Sequence, residues 1–110
     1  MAIINGFQTF TRVYLMTNGG HAVRAPYMYC GRADLYVETA EDQLLTTLRE
    51  IWKYVTGRVM YVTGGIGTSR ENEGITGDYH LPNATICAGT CAAVGMAMWS
   101  HRILNITGEV

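Results

Sequence analysis

The residue types best suited to chemistry lie in a glycine-rich stretch that runs from Tyr61 to Gly95. Glu73 has the carboxylic acid that a general acid or base needs, and glycines around it let the backbone come close to a ligand. An ordinary solvated loop carboxylate is the alternative interpretation, and Glu71 and Asp78 carry the same chemistry. Residue types alone therefore predict an acid-bearing loop without deciding which acid acts.

Two thiols follow that loop. Cys87 and Cys91 are four positions apart, so in the first turns of a helix they share a face, where the helix dipole favours the thiolate that binds metals. His80 and His21 could complete a zinc site, which needs four ligands. Small cysteines in an alanine-rich helix are more often part of the core. Both interpretations, a small Cys/His zinc domain and a packed core, stay open.

The loop between these groups is predicted to be ordered. More than twenty irregular residues in a compact domain are uncommon and usually functional or disordered. Disordered segments lack apolar anchors, whereas this one has several: Ile66, Ile75, Tyr79, Leu81 and Pro82. The Gly64–Gly67 run lacks the remaining residues of a phosphate-binding or dinucleotide-binding motif.

Three helices are expected to position this loop. The first is predicted within His21–Thr39 and begins between Ala22 and Ala25, because Pro26 is tolerated in a first turn but not in a helix interior. The pair of glycines at its upstream side breaks the preceding segment.

The second helix is predicted to be amphipathic and to lie on the outside of the fold. Its apolar stripe repeats at helical spacing and consists of Leu44, Leu45, Leu48, Ile51, Trp52 and Val55. Thr39 and Asp42 approximate a capping box at its start, and Gly57 is placed to end it.

The third helix, from about Ala88 to Thr107 with Gly108 as its stop signal, is apolar on most sides as far as Trp99. Such a helix is expected to be buried all round. Stacked inner and outer antiparallel helices would bury it, so the fold class is mainly α. Its burial needs more neighbours than this chain offers, which predicts that 110 residues are not the whole folding unit.

Composition excludes several functions. The chain has a net charge of −1 and only 15% charged residues, so neither nucleic acid nor an anionic membrane is an expected partner. No apolar run approaches the roughly 20 residues of a membrane span, and a secretory signal is not evident. Three cysteines do not make a disulfide scaffold. A cytoplasmic location is predicted.

Four motifs in order resemble one family. They are GHAVRAPYMYCGRADLYVETAEDQLL (20–45), MYVTGGIGTSRENEG (60–74), DYHLPN (78–83), and TCAAVG (90–95) followed by HRILNITGE (101–109). Together they resemble the β-L-arabinofuranosidase family, glycoside hydrolase family 127. The chain is thus divided into an unassigned segment, residues 1–19, and a fragment of an (α/α)6-barrel catalytic domain, residues 20–110.

The resemblance implies a fold, an activity and site residues. Family members are retaining exo-hydrolases with an (α/α)6 barrel that act on terminal β-L-arabinofuranosyl units of oligosaccharides or glycoconjugates. They hold zinc through one glutamate and three cysteines, one of which is the nucleophile in place of a second carboxylate. By motif position Glu73 is the acid/base, His21 hydrogen-bonds the furanoside, and Cys91 is a zinc ligand.

Departures from the family pattern limit that expectation. Gly89 stands where the family has its zinc-binding glutamate, although Cys87 could compensate, and the family's other cysteines, the nucleophile included, lie downstream of Val110. Pro26 replaces an ordinary helix former. The chain alone is therefore expected to carry half a site and to be inactive. The alternative function is a noncatalytic helical module that binds a partner, or itself, through exposed apolar helix faces.

Overall fold

The computed structural model describes residues 20–109, so the predicted N-terminal segment, residues 1–19, lies outside the described residues. Three α-helices follow in order: α1 (Arg24–Thr39), α2 (Asp42–Tyr54) and α3 (Thr90–Thr107). A π-helical turn (Val55–Val59) continues α2. Within residues 20–109 the only β-structure is one isolated bridge. The prediction of a mainly α fold is confirmed.

Helix α1 begins and ends as the local chemistry requires. It starts at Arg24, within the predicted window, and Pro26 lies in the first turn, where its missing N–H has no intrahelical acceptor to lose. It ends at Ala40, which takes a left-handed conformation with φ 52° and donates its N–H to the Tyr36 carbonyl at 2.7 Å. Only one residue then separates this cap from α2, so α1 and α2 form a tight helical hairpin.

Helix α2 confirms the predicted stripe but not the predicted cap. Leu44, Leu48 and Ile51 are buried. The residue at the N-cap is Glu41, and no side chain caps the helix. The predicted capping box is wrong because Thr39 still belongs to α1, where its hydroxyl donates to the Leu35 carbonyl at 2.8 Å.

The end of α2 also differs from the prediction. Gly57 does not end the helical segment but lies inside the π-helical turn, which continues to Val59. Val55 and Val59 are both buried, and the wider turn keeps these two side chains on the core side of the chain. Burial of Val59 therefore prevails over the tendency of Gly57 to end the helix.

Helix α3 packs mainly against α1. Trp99 is fully buried at the centre, with its ring 4.7 Å from that of Tyr29 on α1 and 5.0 Å, edge-on, from that of Trp52 on α2. Arg102 also forms a salt bridge with Asp34 on α1 at 2.8 Å. The helices α1 and α3 are thus held together by a tilted pair of aromatic rings in the core and an ion pair at the rim.

Burial of α3 on all sides is not achieved within residues 20–109. One face is buried, but Val94, Met98 and Leu104 are 47%, 40% and 43% exposed. The bounds of the helix and the role of Gly108, which caps it with φ 71°, agree with the sequence prediction. No helix among residues 20–109 has the length and apolar character to cross a membrane.

Candidate active site

The long loop returns to the start of α1 and pairs with it. His21 and Gly74 form the antiparallel β-bridge, the Ala22 N–H donates to the Glu73 carbonyl at 2.8 Å, and the Ile75 N–H donates to the Gly20 carbonyl at 2.8 Å. These backbone bonds place Glu73 directly beside the first residues of α1. Two residues that sequence analysis selected far apart in the chain are therefore neighbours.

The side chains of these two residues meet. His21 Nε2 lies 3.3 Å from Glu73 Oε2, and the two side chains are 27% and 56% exposed. The Val23 N–H donates to His21 Nδ1 at 3.1 Å. Because Nδ1 accepts this bond, the neutral imidazole carries its proton on Nε2, where it faces the Glu73 carboxyl group. The pair is accessible to a ligand and has a defined donor direction.

The turn that contains Glu73 is held by hydrogen bonds among residues 68–74. Glu73 has a left-handed φ of 49°, and the Gly74 N–H donates to the Asn72 side-chain oxygen at 3.0 Å. The Gly74 carbonyl accepts the N–H groups of Thr68 and Ser69 at 3.0 and 3.1 Å. Such a local network fixes a conformation that a non-glycine residue rarely adopts.

Gly67 allows the loop to pass between two other segments. Its φ is +103°, and a Cβ at this position would lie 2.8 Å from the Ala22 Cβ and 3.1 Å from the Cys87 carbonyl oxygen. Only glycine fits both the space and the backbone angle. The loop, the start of α1 and the segment before α3 are therefore in direct contact here.

The second eligible acid, Asp78, is engaged elsewhere. Its carboxylate lies 2.7 Å from the Arg58 guanidinium, and the Tyr79 N–H donates to the Arg58 carbonyl at 2.9 Å. Hydrogen bonds from Arg58 and then from the Tyr54 hydroxyl lower the pKa of Asp78. Sequence reasoning did not select Arg58, because an isolated arginine after a helix gives no signal of its partner.

His80 is tied into the loop. The Thr76 hydroxyl lies 2.7 Å from His80 Nδ1 and also contacts the Thr68 hydroxyl. The Thr76 N–H donates to the Thr68 hydroxyl at 3.2 Å. His80 therefore has a structural partner within the loop. The third eligible acid, Glu71, is exposed.

The cysteines do not gather into a metal site. Cys30 is buried, Cys87 is half-buried and Cys91 is exposed in the first turn of α3. Among residues 20–109 no three His, Cys, Asp or Glu side chains form a group that could hold a metal ion. The described residues thus do not form the small zinc site of Cys87, Cys91 and His80.

Comparison with known proteins identifies the family of this chain. Residues 10–110 match the family model described as the β-L-arabinofuranosidase GH127 catalytic domain. A non-reducing end β-L-arabinofuranosidase of Bifidobacterium longum subsp. longum is 40% identical over 90 residues, which are 82% of this chain and 14% of that protein.

Solved structures show the same similarity. A GH127 β-L-arabinofuranosidase from Geobacillus stearothermophilus T6 superposes with a TM-score of 0.78 and 42% identity, over 80% of this chain and 14% of that chain. Another GH127 β-arabinofuranosidase gives 0.79 and 37%, over 82% of this chain and 14% of that chain. The fold is a helical segment of a glycoside hydrolase catalytic domain. The chain belongs to the β-L-arabinofuranosidase family, glycoside hydrolase family 127, and spans about one seventh of the length of these relatives.

Proposed function

We propose that residues 20–109 form the acid/base half of a retaining β-L-arabinofuranosidase site, with Glu73 as acid/base and His21 as the residue that contacts the sugar. The proposed substrate is a terminal β-L-arabinofuranosyl unit of an oligosaccharide or glycoconjugate. The helices α1 to α3 are proposed to be part of an (α/α)6 barrel. Membership of the family and the fold of this segment support the assignment.

One observation carries the proposal. The Glu73 carboxyl group lies against the Nε2 of His21, 3.3 Å away, on an accessible surface at the start of α1. Glu71 is exposed on the same loop, and Asp78 is bound to Arg58. Glu73 therefore differs from Asp78 in its neighbour, which is the imidazole of His21 and not the guanidinium of an arginine.

The chemistry proposed for Glu73 has two steps. As an acid it gives its proton to the departing glycosidic oxygen while the bond from that oxygen to the anomeric carbon breaks. As a base it then takes a proton from the water that releases the sugar from the nucleophile, which restores the acid. In this proposal the His21 Nε2–H donates to the Glu73 carboxylate between the steps and to a hydroxyl of the sugar when substrate is bound.

Zinc has a limited place in this proposal. The zinc that the family resemblance implies would supply charge stabilisation at a cysteine thiolate when bound. The described residues do not themselves fit the ion, because Cys91 and Cys87 have no third ligand beside them within residues 20–109. In a larger assembly Cys91 would be the ligand that this segment contributes.

A hybrid enzyme tests the acid/base assignment. The matching segment of the Bifidobacterium relative is replaced by residues 20–109 of this chain carrying Gly89→Glu, which restores the glutamate that the family has at this position, and hydrolysis of an alkyl β-L-arabinofuranoside is measured. Glu73→Gln is expected to lower kcat by about 10²–10⁴-fold. Azide, which needs no general base, should rescue turnover of a nitrophenyl substrate and give the arabinofuranosyl azide with retained configuration.

Glu71→Gln is the matched control and should keep activity within about tenfold, because the carboxylate that lies 3.3 Å from His21 Nε2 is that of Glu73. Equal losses in the two variants, or no azide rescue of Glu73→Gln, would contradict the assignment. The purified 110-residue chain alone should release no arabinose. Release above background would show that this half-site is sufficient.

A further inference from the structure

Two threonine side chains join the stems of the short segment that carries Glu73, residues 68–76, which we call the 68–76 loop. The hydroxyl groups of Thr68 and Thr76 contact each other, and the Thr76 N–H donates to the Thr68 hydroxyl at 3.2 Å. The Thr68 N–H donates to the Gly74 carbonyl at 3.0 Å. The residue that follows Glu73 is therefore held from the opposite stem of the loop.

Thr68 is the buried member of this pair. It is only 4% exposed, whereas Thr76 is half-buried. Burying a hydroxyl group costs free energy unless the group is hydrogen-bonded. Valine has nearly the shape of threonine and would fill the same space without that cost, so packing alone does not account for a hydroxyl at position 68. Its role lies in the hydrogen bonds that it makes across the 68–76 loop.

His80 gives the two hydroxyl groups one direction. The Thr76 hydroxyl lies 2.7 Å from His80 Nδ1. When Nδ1 accepts the Thr76 hydroxyl proton, the proton between the two hydroxyl groups comes from Thr68, because each hydroxyl has one proton to donate. Each proton of the chain then has an acceptor, from the Thr76 N–H through both hydroxyl groups to the imidazole. A polar network in which all members are satisfied is rigid.

Glu73 lies between this network and the start of α1. Its own carbonyl accepts the Ala22 N–H at 2.8 Å, and the next carbonyl, that of Gly74, accepts the Thr68 N–H. Glu73 has a φ of 49°, and a residue keeps such a conformation only where its surroundings hold it. The position of the Glu73 side chain beside His21 therefore depends on anchors on both sides.

We propose that Thr68, Thr76 and His80 are positioning residues for the acid/base Glu73, and that they act through the backbone of the 68–76 loop without touching the substrate. This inference rests on the proposed function of Glu73. Because a displacement of about 1 Å at a catalytic group can cost about 10²-fold in rate, removal of the Thr68 hydroxyl is expected to lower kcat by about 10- to 100-fold.

Isosteric variants of the hybrid enzyme measure that loss. Thr68→Val removes the hydroxyl but keeps the volume, and should lower kcat while KM stays within about threefold, because the His21 contact to the sugar lies outside the 68–76 loop. Thr68→Ser restores a hydroxyl and should recover most of the loss. Thr85→Val, at an exposed threonine further along the chain, should change nothing.

The His80 end of the network is tested in the same way. His80→Leu removes the acceptor of the Thr76 hydroxyl and should lower kcat by about tenfold. His80→Asn keeps an acceptor at the position of Nδ1 and should recover most of that loss. Equal activity of the Leu and Asn variants would remove His80 from the proposal.

A double-mutant cycle shows whether Thr68 acts through Glu73. In the Glu73→Gln hybrid, Thr68→Val should change the azide-rescued rate by less than about twofold, because the carboxyl group that Thr68 positions is gone. The same loss in both backgrounds would overturn the proposal. Loss with Glu73→Gln but not with Thr68→Val would overturn the positioning role alone, whereas full activity of Glu73→Gln would overturn the proposed function as well.

Amide hydrogen exchange in the 110-residue chain tests the positioning without an activity. Thr68→Val should speed exchange of the Ala22 N–H, whose acceptor is the Glu73 carbonyl, by at least about tenfold. The backbone N–H of the fully buried Trp99 is the control and should keep its rate. An unchanged rate at Ala22, or an equal acceleration at Trp99, would overturn the proposal.

Discussion

Two neighbouring stretches within the long loop, called the bridge end and the cation end, hold a carboxylate in opposite ways. At the bridge end, residues 72–75 pair with residues 20–22, and Glu73 faces the His21 imidazole. At the cation end, residues 77–80 contact Arg58, and Asp78 faces its guanidinium. Arginine stays protonated at any relevant pH, whereas His21 presents one ring nitrogen, Nε2, to Glu73.

This difference in partners separates the two carboxyl groups. A carboxylate beside a permanent cation is held ionised, and the lowered pKa of Asp78 expresses that. A general acid must instead take up a proton again in each cycle, so its pKa has to lie near the operating pH. The contacts, and not the residue type, distinguish two acids that look alike in the sequence.

The largest expected difference between the two ends appears when each carboxylate is removed in turn from the hybrid enzyme. Glu73→Gln should lower kcat by about 10²–10⁴-fold, whereas Asp78→Asn should lower it by less than about tenfold because the Asp78 carboxylate is paired with Arg58. Steady-state rates on an alkyl arabinofuranoside give both values. A larger loss for Asp78→Asn would reverse the assignment of the two ends.

The partners of the two acids should differ in the same direction. His21→Ala in the hybrid is expected to lower kcat/KM by about 10²-fold, since Glu73 loses its orienting contact. Arg58→Gln removes the cation but leaves its backbone carbonyl bonded to Tyr79, and should have a smaller effect. His21→Gln, which keeps a donor, is the conservative control and should recover part of the loss.

Stability should also depend more on the bridge end. Gly67→Ala forces a Cβ to 2.8 Å from the Ala22 Cβ at a φ of +103°, and should destabilise the 110-residue chain by about 1–3 kcal/mol. Gly77→Ala, near the cation end, meets nothing within 4 Å and should change stability by less than about 0.5 kcal/mol. Urea unfolding measures both, and equal effects would contradict the stated packing at Gly67.

The smallest expected effect is a pH dependence at the cation end. Because the folded state lowers the pKa of Asp78 below its usual 3.8, the stabilisation is present above that pH and is lost as pH falls through the folded-state value. Asp78→Asn should therefore flatten the decline of the urea midpoint below about pH 4. Solvent screening keeps the effect small. Glu71→Gln is the control and should keep the wild-type slope.

Much of the helical structure could be predicted from local signals. The stripe of α2, the position of Pro26 in α1 and the Gly108 stop of α3 are each encoded within a few residues, and the structure agrees with all three. The predicted capping box failed because Thr39 stays in α1, where its hydroxyl bonds the Leu35 carbonyl one turn back. The predicted end at Gly57 failed because the helical segment continues to the buried Val59.

The site was predictable only through the family resemblance. No sequence pattern around Glu73 predicts the bridge between Gly74 and His21, because a single β-bridge has no repeating pattern. The same holds for Arg58 and Asp78, whose pairing depends on how the loop closes over the π-helical turn. Residue spacing indicates elements, whereas contacts between distant segments depend on the assembled fold.

Helices α1 and α3 are in close contact where Gly95 faces Pro26. A Cβ at Gly95 would lie 3.0 Å from the Pro26 Cβ and 3.2 Å from the Tyr27 ring, so the two helices meet there with no room to slide. Cys91 lies four residues before Gly95 on α3, and His21 lies five residues before Pro26, just ahead of the first residue of α1. The rigid ring of Pro26 thus packs against Gly95. A side chain larger than hydrogen at position 95 would therefore force α1 and α3 apart at this crossing.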